Sequence, residues 1–349
     1  MTPATPPLEI VVRRGAVVES RHLVHAVVAA ADGGIVAAHG HAARPTFARS
    51  AVKAIQALVL VETGAADRFG FGPEALALAC SSHSGTPLHV ATAAAMLGAL
   101  GLDEAALACG AHWPLHDQSA RDLARHAASP SALHNNCSGK HAGFLAVARH
   151  LGLPVAGYET PDHPVQQRVA AALADLTGVA LTAADRAIDG CSVPTFAIPL
   201  GRLAVAFARL GTGRELPAER AHAAARLRAA VAAHPLLVAG PGRFDTRVIE
   251  ACGARAFVKT GAEGVLCAAL PEAGVGIAVK AEDGAHRASE VAMAHLLRAN
   301  LADLPGAADA VLADLAAPAI SNWRGIMTGG LGLGGSEARG AAGRFVARS

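Results

Sequence analysis

The order of patterned segments constrains this chain more than any single motif. Strand-type runs lie toward both ends. Between them, from about residue 73 to 235, is a long alanine-rich stretch whose apolar spacing is mostly helical. A chain ordered this way brings its two ends into one sheet and folds its middle as a helical body. Leu8-Glu-Ile-Val-Val12, Ala26-Val-Val-Ala29 and Ile35-Val-Ala-Ala38 read as strands, with a turn at Ala31-Asp-Gly-Gly34. From about Ser50 to Ala65 the spacing turns helical, with Val52, Ile55, Gln56, Val59 and Leu60 recurring every three or four residues. Ala256-Phe-Val-Lys-Thr260 is a further strand, and 265–270 with 275–280 form a hairpin about Pro271-Glu-Ala-Gly274. Residues 286–303 carry Val291, Ala292, Leu296 and Leu297 on one side of a helix. The expected class is α+β: a mainly antiparallel sheet flanked by helices, plus an all-helical lobe. One domain is expected over 8–328, with a sheet lobe from about 8–65 and 240–328 and a helical lobe from about 66–239. A cleft would lie between them, and the Gly-, Ala- and Arg-rich remainder, 329–349, would be a disordered tail.

Composition removes several function classes. A net charge of +2, with 17% charged residues and no polybasic run, argues against a nucleic-acid partner or an anionic membrane surface. The longest apolar stretch, 90–102, is short of the roughly 20 residues a spanning helix needs. The N-terminus shows no basic region followed by an apolar one, so no secretory signal is expected. Six irregularly placed cysteines then read as reduced thiols rather than a disulfide framework, and the expected compartment is the cytoplasm.

The basic residues are where chemistry shows. Only Lys53, Lys140, Lys259 and Lys280 are lysines among thirty Lys and Arg. Guanidinium stays protonated at any cellular pH, whereas a desolvated amine can lose its proton and act as a base or a metal donor. Ser50-x-x-Lys53 opens a predicted helix, with hydroxyl and amine one turn apart, the arrangement of a serine–lysine acyl-transfer site. A plain serine N-cap would produce the same string. Lys259-Thr-Gly261 lies at a strand end, as Lys-Thr-Gly does in serine hydrolases of that type; an edge-strand lysine before a turn is the alternative. Cys80-Ser-Ser-His-Ser-Gly85 offers Ser82 as a second nucleophile or a relay, or simply a capped turn. Asn135-Asn-Cys-Ser-Gly-Lys-His141 is dense in ligating groups but is no phosphate loop, because His134 stands where that pattern needs glycine. Together with Asp189-Gly-Cys-Ser192 it offers two thiolates and an amine or imidazole that could hold zinc, or two buried structural thiols. His112-x-x-x-His116 falls in a Pro-containing loop and reads as non-ligating.

Taken together, Ala48-Arg-Ser-Ala-Val-Lys53, Cys80-Ser-Ser-His-Ser-Gly85, Cys109-Gly-Ala-His112, Asn136-Cys-Ser-Gly-Lys-His-Ala-Gly143, Asp162-His-Pro164, Asp189-Gly-Cys191 and Lys259-Thr-Gly-Ala-Glu-Gly264 resemble the asparaginase II family, the rhizobial-type or class 3 L-asparaginases. The match is collinear from about residue 8 to 328. The resemblance implies a fold like serine β-lactamases and glutaminases. It also implies two serine–lysine tandems, Ser50 with Lys53 and Ser82 with Lys259, and a zinc held by Cys137, Lys140 and Cys191. Lys280, expected on the strand next to Lys259, is the competing position for that last lysine. Arg49, Asp189 and His83 are the candidate substrate contacts. The implied reaction is hydrolysis of L-asparagine to aspartate and ammonia, by a homodimer acting on a small molecule. Ala48, Ala54 and Thr86 depart from the family pattern, and Thr86 bears on the substrate pocket. The rivals are a glutaminase or other acyl-serine amidase, and a zinc-stabilised binding protein with no enzymatic activity.

Overall fold

The computed structural model describes residues 5–334, which fall into two compact units. One comprises the chain up to Ala51, Ile198–Glu215 and the chain from Ala251; the other comprises Val52–Ala197 and Leu216–Glu250. The expected α+β class is observed.

The first unit is built on an eight-stranded antiparallel sheet. Its strands are β1 (Leu8–Arg14), β2 (Val17–Ala30), β3 (Ile35–His39), β4 (Phe257–Thr260), β5 (Val265–Leu270), β6 (Val275–Ala281), β7 (Ala319–Ser321) and β8 (Met327–Leu333). They run in the order β7-β8-β1-β2-β6-β5-β4, with β3 also on β2. All six residues of β5 are buried, so both faces of the sheet are covered there. Helices Leu200–Thr212 and His286–Asn300 provide the cover. The first of these comes from the middle of the chain, where only helical-lobe sequence was expected. Its leucines, alanines and Phe207 are buried, and an apolar stripe of that width packs on a sheet as well as on other helices. The tail expectation also starts too early, since Gly329–Leu333 belong to β8 and pair with β1 from Arg14↔Gly329 to Ile10↔Leu333. Glycines usually weaken a strand, but a Cβ at Gly329 would lie 1.8 Å from the Arg13 carbonyl oxygen, so close approach requires glycine at that position. The remainder of that tail lies outside the described residues.

At the centre of the second unit is helix Lys53–Glu62, whose residues 53–61 are all buried. Apolar side chains on every side of a helix need neighbours all round, and helices Pro73–Ala79, Ser138–His150, Pro164–Thr177 and Ala218–Ala233 supply them. Its C-terminal end is pinned by Arg220, which grips Glu62 through Nε–Oε1 at 2.6 Å and Nη2–Oε2 at 3.1 Å. The helix does not begin at Ser50 as predicted: Arg49–Val52 is a 3₁₀ turn that becomes α-helical at Lys53. Further along, Arg186–Ile188 pairs antiparallel with Pro194–Phe196 and closes the turn that carries Asp189 and Cys191. Among the described residues, no helix is long and apolar enough to cross a membrane.

Candidate active site in the helical unit

Lys53 is fully buried, an expensive place for an amine unless its hydrogens find acceptors. Its Nζ bonds the Ser81 carbonyl at 2.5 Å, Ser82 Oγ at 3.0 Å and the Asn136 carbonyl at 3.1 Å, with the Cys137 thiol also in reach. Carbonyl oxygens only accept, so they fix two N–H bonds and aim the third position of the amine at the serine hydroxyl. An ammonium would donate there, while a neutral amine would present its lone pair and accept the Ser82 proton. Either way all three partners stay satisfied, so one proton can pass between Nζ and Oγ without leaving an orphaned group. Lys53, the expected partner of Ser50, thus also reaches Ser82, the serine of the other expected tandem.

The Asn135–His141 string supplies much of this environment. Asn135, nearly buried, donates from Nδ2 to the Cys109 carbonyl at 2.9 Å and accepts the Cys137 N–H on Oδ1 at 2.9 Å. That N–H belongs to the same peptide whose carbonyl accepts from Lys53, so Asn135 fixes the plane of the acceptor. The Asn136 N–H is in turn held by His112 Nε2 at 2.9 Å. His112, read from sequence as a bystander, therefore has a backbone-holding role. A Cβ at Gly139 would lie 2.4 Å from the Leu78 carbonyl oxygen, so helix 138–150 can meet helix 73–79 this closely only with glycine there.

On the other side of the string, Lys140 Nζ donates to Cys191 Sγ at 2.9 Å, and the Asp189 carboxylate oxygen Oδ2 lies 4.0 Å from that sulfur. Cys137, Lys140 and Cys191 are each buried. The hydrogen bond from Cys191 holds Cys137 well below the ordinary thiol range despite burial, whereas Cys191 is raised by that same bond and by burial. Burial pulls the Lys140 ammonium down, but Cys191, Cys137 and Asp189 more than offset this and the net shift is upward. Cys109, outside the cluster, is pushed up to about 12 by burial and by Cys137 and stays a neutral thiol. Two sulfurs and an amine converging out of water form a donor set that suits a borderline-soft divalent ion such as zinc. Among the described residues no group of three or more His, Cys, Asp or Glu side chains could hold a metal, so a zinc site here depends on the lysine nitrogen.

His83, another candidate substrate contact, directly follows Ser82. It is fully buried, its Nδ1 accepts the Gly85 N–H at 3.1 Å and its Nε2 faces Ser138 Oγ at 2.8 Å. Both of its ring nitrogens are thus engaged by protein groups, within the loop and across to Ser138. Thr86, the departure with a bearing on the pocket, sits at the N-cap of helix Pro87–Ala99 with Oγ1 2.7 Å from His89 Nδ1.

The remaining candidates lie in the sheet unit. Arg49 and Ser50 are half-buried in the 3₁₀ turn, and Arg49 has φ +49°, a backbone region costly for a non-glycine residue. Lys259, fully buried on β4, donates to the Thr260 carbonyl at 2.7 Å. Lys280 is not on the neighbouring strand: β5 intervenes, and its Nζ donates to the Glu263 and Ala281 carbonyls at 2.6 and 2.5 Å.

Comparison with known proteins bears on the assignment. None of the curated proteins matches the chain significantly. Among solved structures, a β-lactamase from Mycobacterium bovis is similar at 17% identity and a TM-score of 0.37, covering 84% of this chain and 95% of that one. The L-asparaginase II family pattern matches residues 10–332, from the third position of β1 to the sixth of β8. That span takes in every string that carries the resemblance, and the chain belongs to the L-asparaginase II family of hydrolases.

Proposed function

We propose that this chain hydrolyses the side-chain amide of L-asparagine to L-aspartate and ammonia through an acyl-serine. The supporting observation is the buried Lys53 amine, 3.0 Å from Ser82 Oγ, with its other hydrogens committed to two carbonyls. Lys53 takes the hydroxyl proton as Ser82 Oγ attacks the amide carbon. The resulting ammonium returns that proton to the leaving nitrogen as the C–N bond breaks. A β-aspartyl ester and ammonia result, and water, deprotonated by the same amine, then cleaves the ester and restores Ser82. A second reading makes Ser50 the nucleophile. It is favoured by the strained left-handed residue just before it, a feature that active sites collect. Mapping the modified peptide after trapping with a slow acylating substrate decides between them: the ester is expected on Ser82, and an ester on Ser50 alone would transfer the role.

The substrate assignment is tested by coupled measurement of ammonia release from asparagine and from glutamine. Asparagine is expected to be turned over with the higher kcat/KM. Higher turnover of glutamine would make the chain a glutaminase, and tight asparagine binding without ammonia release would favour the binding-protein alternative.

Cys137, Lys140 and Cys191 are proposed to hold zinc. Bound there, the ion would neutralise two thiolates and keep the Lys140 nitrogen unprotonated as a donor. Wild-type protein is expected to retain about one zinc per chain, and Cys191→Ala to bind it more than roughly 100-fold more weakly by competition with a chromogenic chelator. Equal affinity in the two would show that the sulfur is no ligand.

A further inference from the structure

We propose that His83 and Ser138 form a buried clamp that sets the position of Ser82 relative to Lys53. This rests on the reading of Lys53 and Ser82 as the proton-transfer pair. Because His83 Nδ1 accepts the Gly85 N–H, it carries no proton, and the ring hydrogen sits on Nε2, directed at Ser138 Oγ 2.8 Å away. His83 follows Ser82 in the chain, and Ser138, the first residue of its helix, is two residues from the Asn136 carbonyl that accepts from Lys53. Two segments distant in sequence are thereby joined at two points. Lys53 bridges Ser81, Ser82 and Asn136, and His83 bridges to Ser138.

The ring is itself held in place. His83 stacks on His89 with centroids 4.8 Å apart and planes within 10°. His89 Nδ1 accepts the Thr86 N–H at 3.1 Å, so its Nε2–H donates to the Leu236 carbonyl at 2.8 Å. Ser82 is fixed from its other side as well, where its N–H donates to the Val238 carbonyl at 2.9 Å. Burial, with His89 and Lys53 nearby, holds His83 well below the usual imidazole range, so the ring stays neutral with Nδ1 as acceptor and Nε2–H as donor. Without the clamp, loop 81–85 loses its side-chain bond to Ser138, and sub-ångström drift of Oγ weakens attack steeply.

The test uses the full chain with three variants, Ser138→Ala, His83→Gln and His83→Leu. Ammonia release gives kcat and KM, and the rate of fluorophosphonate modification at Ser82, mapped by peptide mass, gives hydroxyl reactivity without reference to any natural substrate. Thermal melting checks folding. For folded Ser138→Ala both kcat and the Ser82 modification rate are expected to fall by ~10-fold or more, with KM little changed. His83→Gln, which keeps an N–H donor, is expected to lose less than His83→Leu. A residue that merely fills the core would lower melting temperature and leave both rates alone. Wild-type rates in folded Ser138→Ala would therefore overturn the clamp. If the wild type labels at Ser82 but releases no ammonia from asparagine, the substrate assignment falls, and the clamp is judged by the labelling rates.

Discussion

Lys53→Arg is expected to reduce asparagine turnover by at least about 10³-fold, the scale on which acyl-transfer sites respond to loss of the base that activates their nucleophile. The charge is preserved, so a role for Lys53 as a mere positive centre would be only modestly affected. The chemistry is not preserved, because a guanidinium has no lone pair to offer at any accessible pH. Geometry compounds the loss. Three acceptors surround a single nitrogen at 2.5–3.1 Å in a fully buried site, and a planar fork cannot place one nitrogen in contact with all three. Lys53→Met separates the two contributions. It removes the base while nearly keeping the volume, and leaves the Ser81 and Asn136 carbonyls without this donor, at a cost of about 1–3 kcal/mol for each group left unsatisfied. Steady-state ammonia release, with circular dichroism melting on the same samples, checks both variants. Near-normal turnover by Lys53→Arg would end the neutral-amine mechanism.

Gly139→Ala is expected to be the most damaging single-methyl substitution near the site. The added Cβ would sit 2.4 Å from the Leu78 carbonyl oxygen and 2.6 Å from its Cγ, both in the packed centre of the helical unit. A backbone carbonyl cannot rotate aside as a side chain can, so helices 73–79 and 138–150 must separate. Overpacking of this kind costs about 3 kcal/mol, at the upper end of the usual range, and lowers Tm by roughly 5 °C or more. The movement would also reach function, because helix 138–150 carries Ser138 and Lys140 and its preceding residues carry the Asn136 carbonyl. Differential scanning calorimetry with kcat measured well below Tm checks both effects. Unchanged Tm would mean that the two helices have slack where the structure shows contact.

The particular residues show why some of this could be read from the chain and some could not. The all-apolar run after Lys53 announces a buried helix, and the alternation of strand-like ends with a helical middle announces the α+β class. Both depend on local patterning, which backbone geometry converts directly into structure. Gly329–Leu333 and helix Leu200–Thr212 were misplaced because their partners are distant. A glycine-rich strand is justified only by the backbone it closes against, and an apolar helix carries no mark of which surface it will cover. The paucity of lysine singled out Lys53 and Lys140 as residues with chemical work, and the Asn-Cys-Ser-Gly-Lys-His string pointed to its neighbourhood. The sequence alone determined which side chains can do chemistry, because proton affinity and ligand softness belong to the residue type. Only the tertiary structure decided that Lys53 meets Ser82, that both ring nitrogens of His83 face protein groups, and that Asn135 and His112 orient the carbonyl of Asn136. Hydrogen bonds are satisfied across space, by groups that the chain order does not bring together.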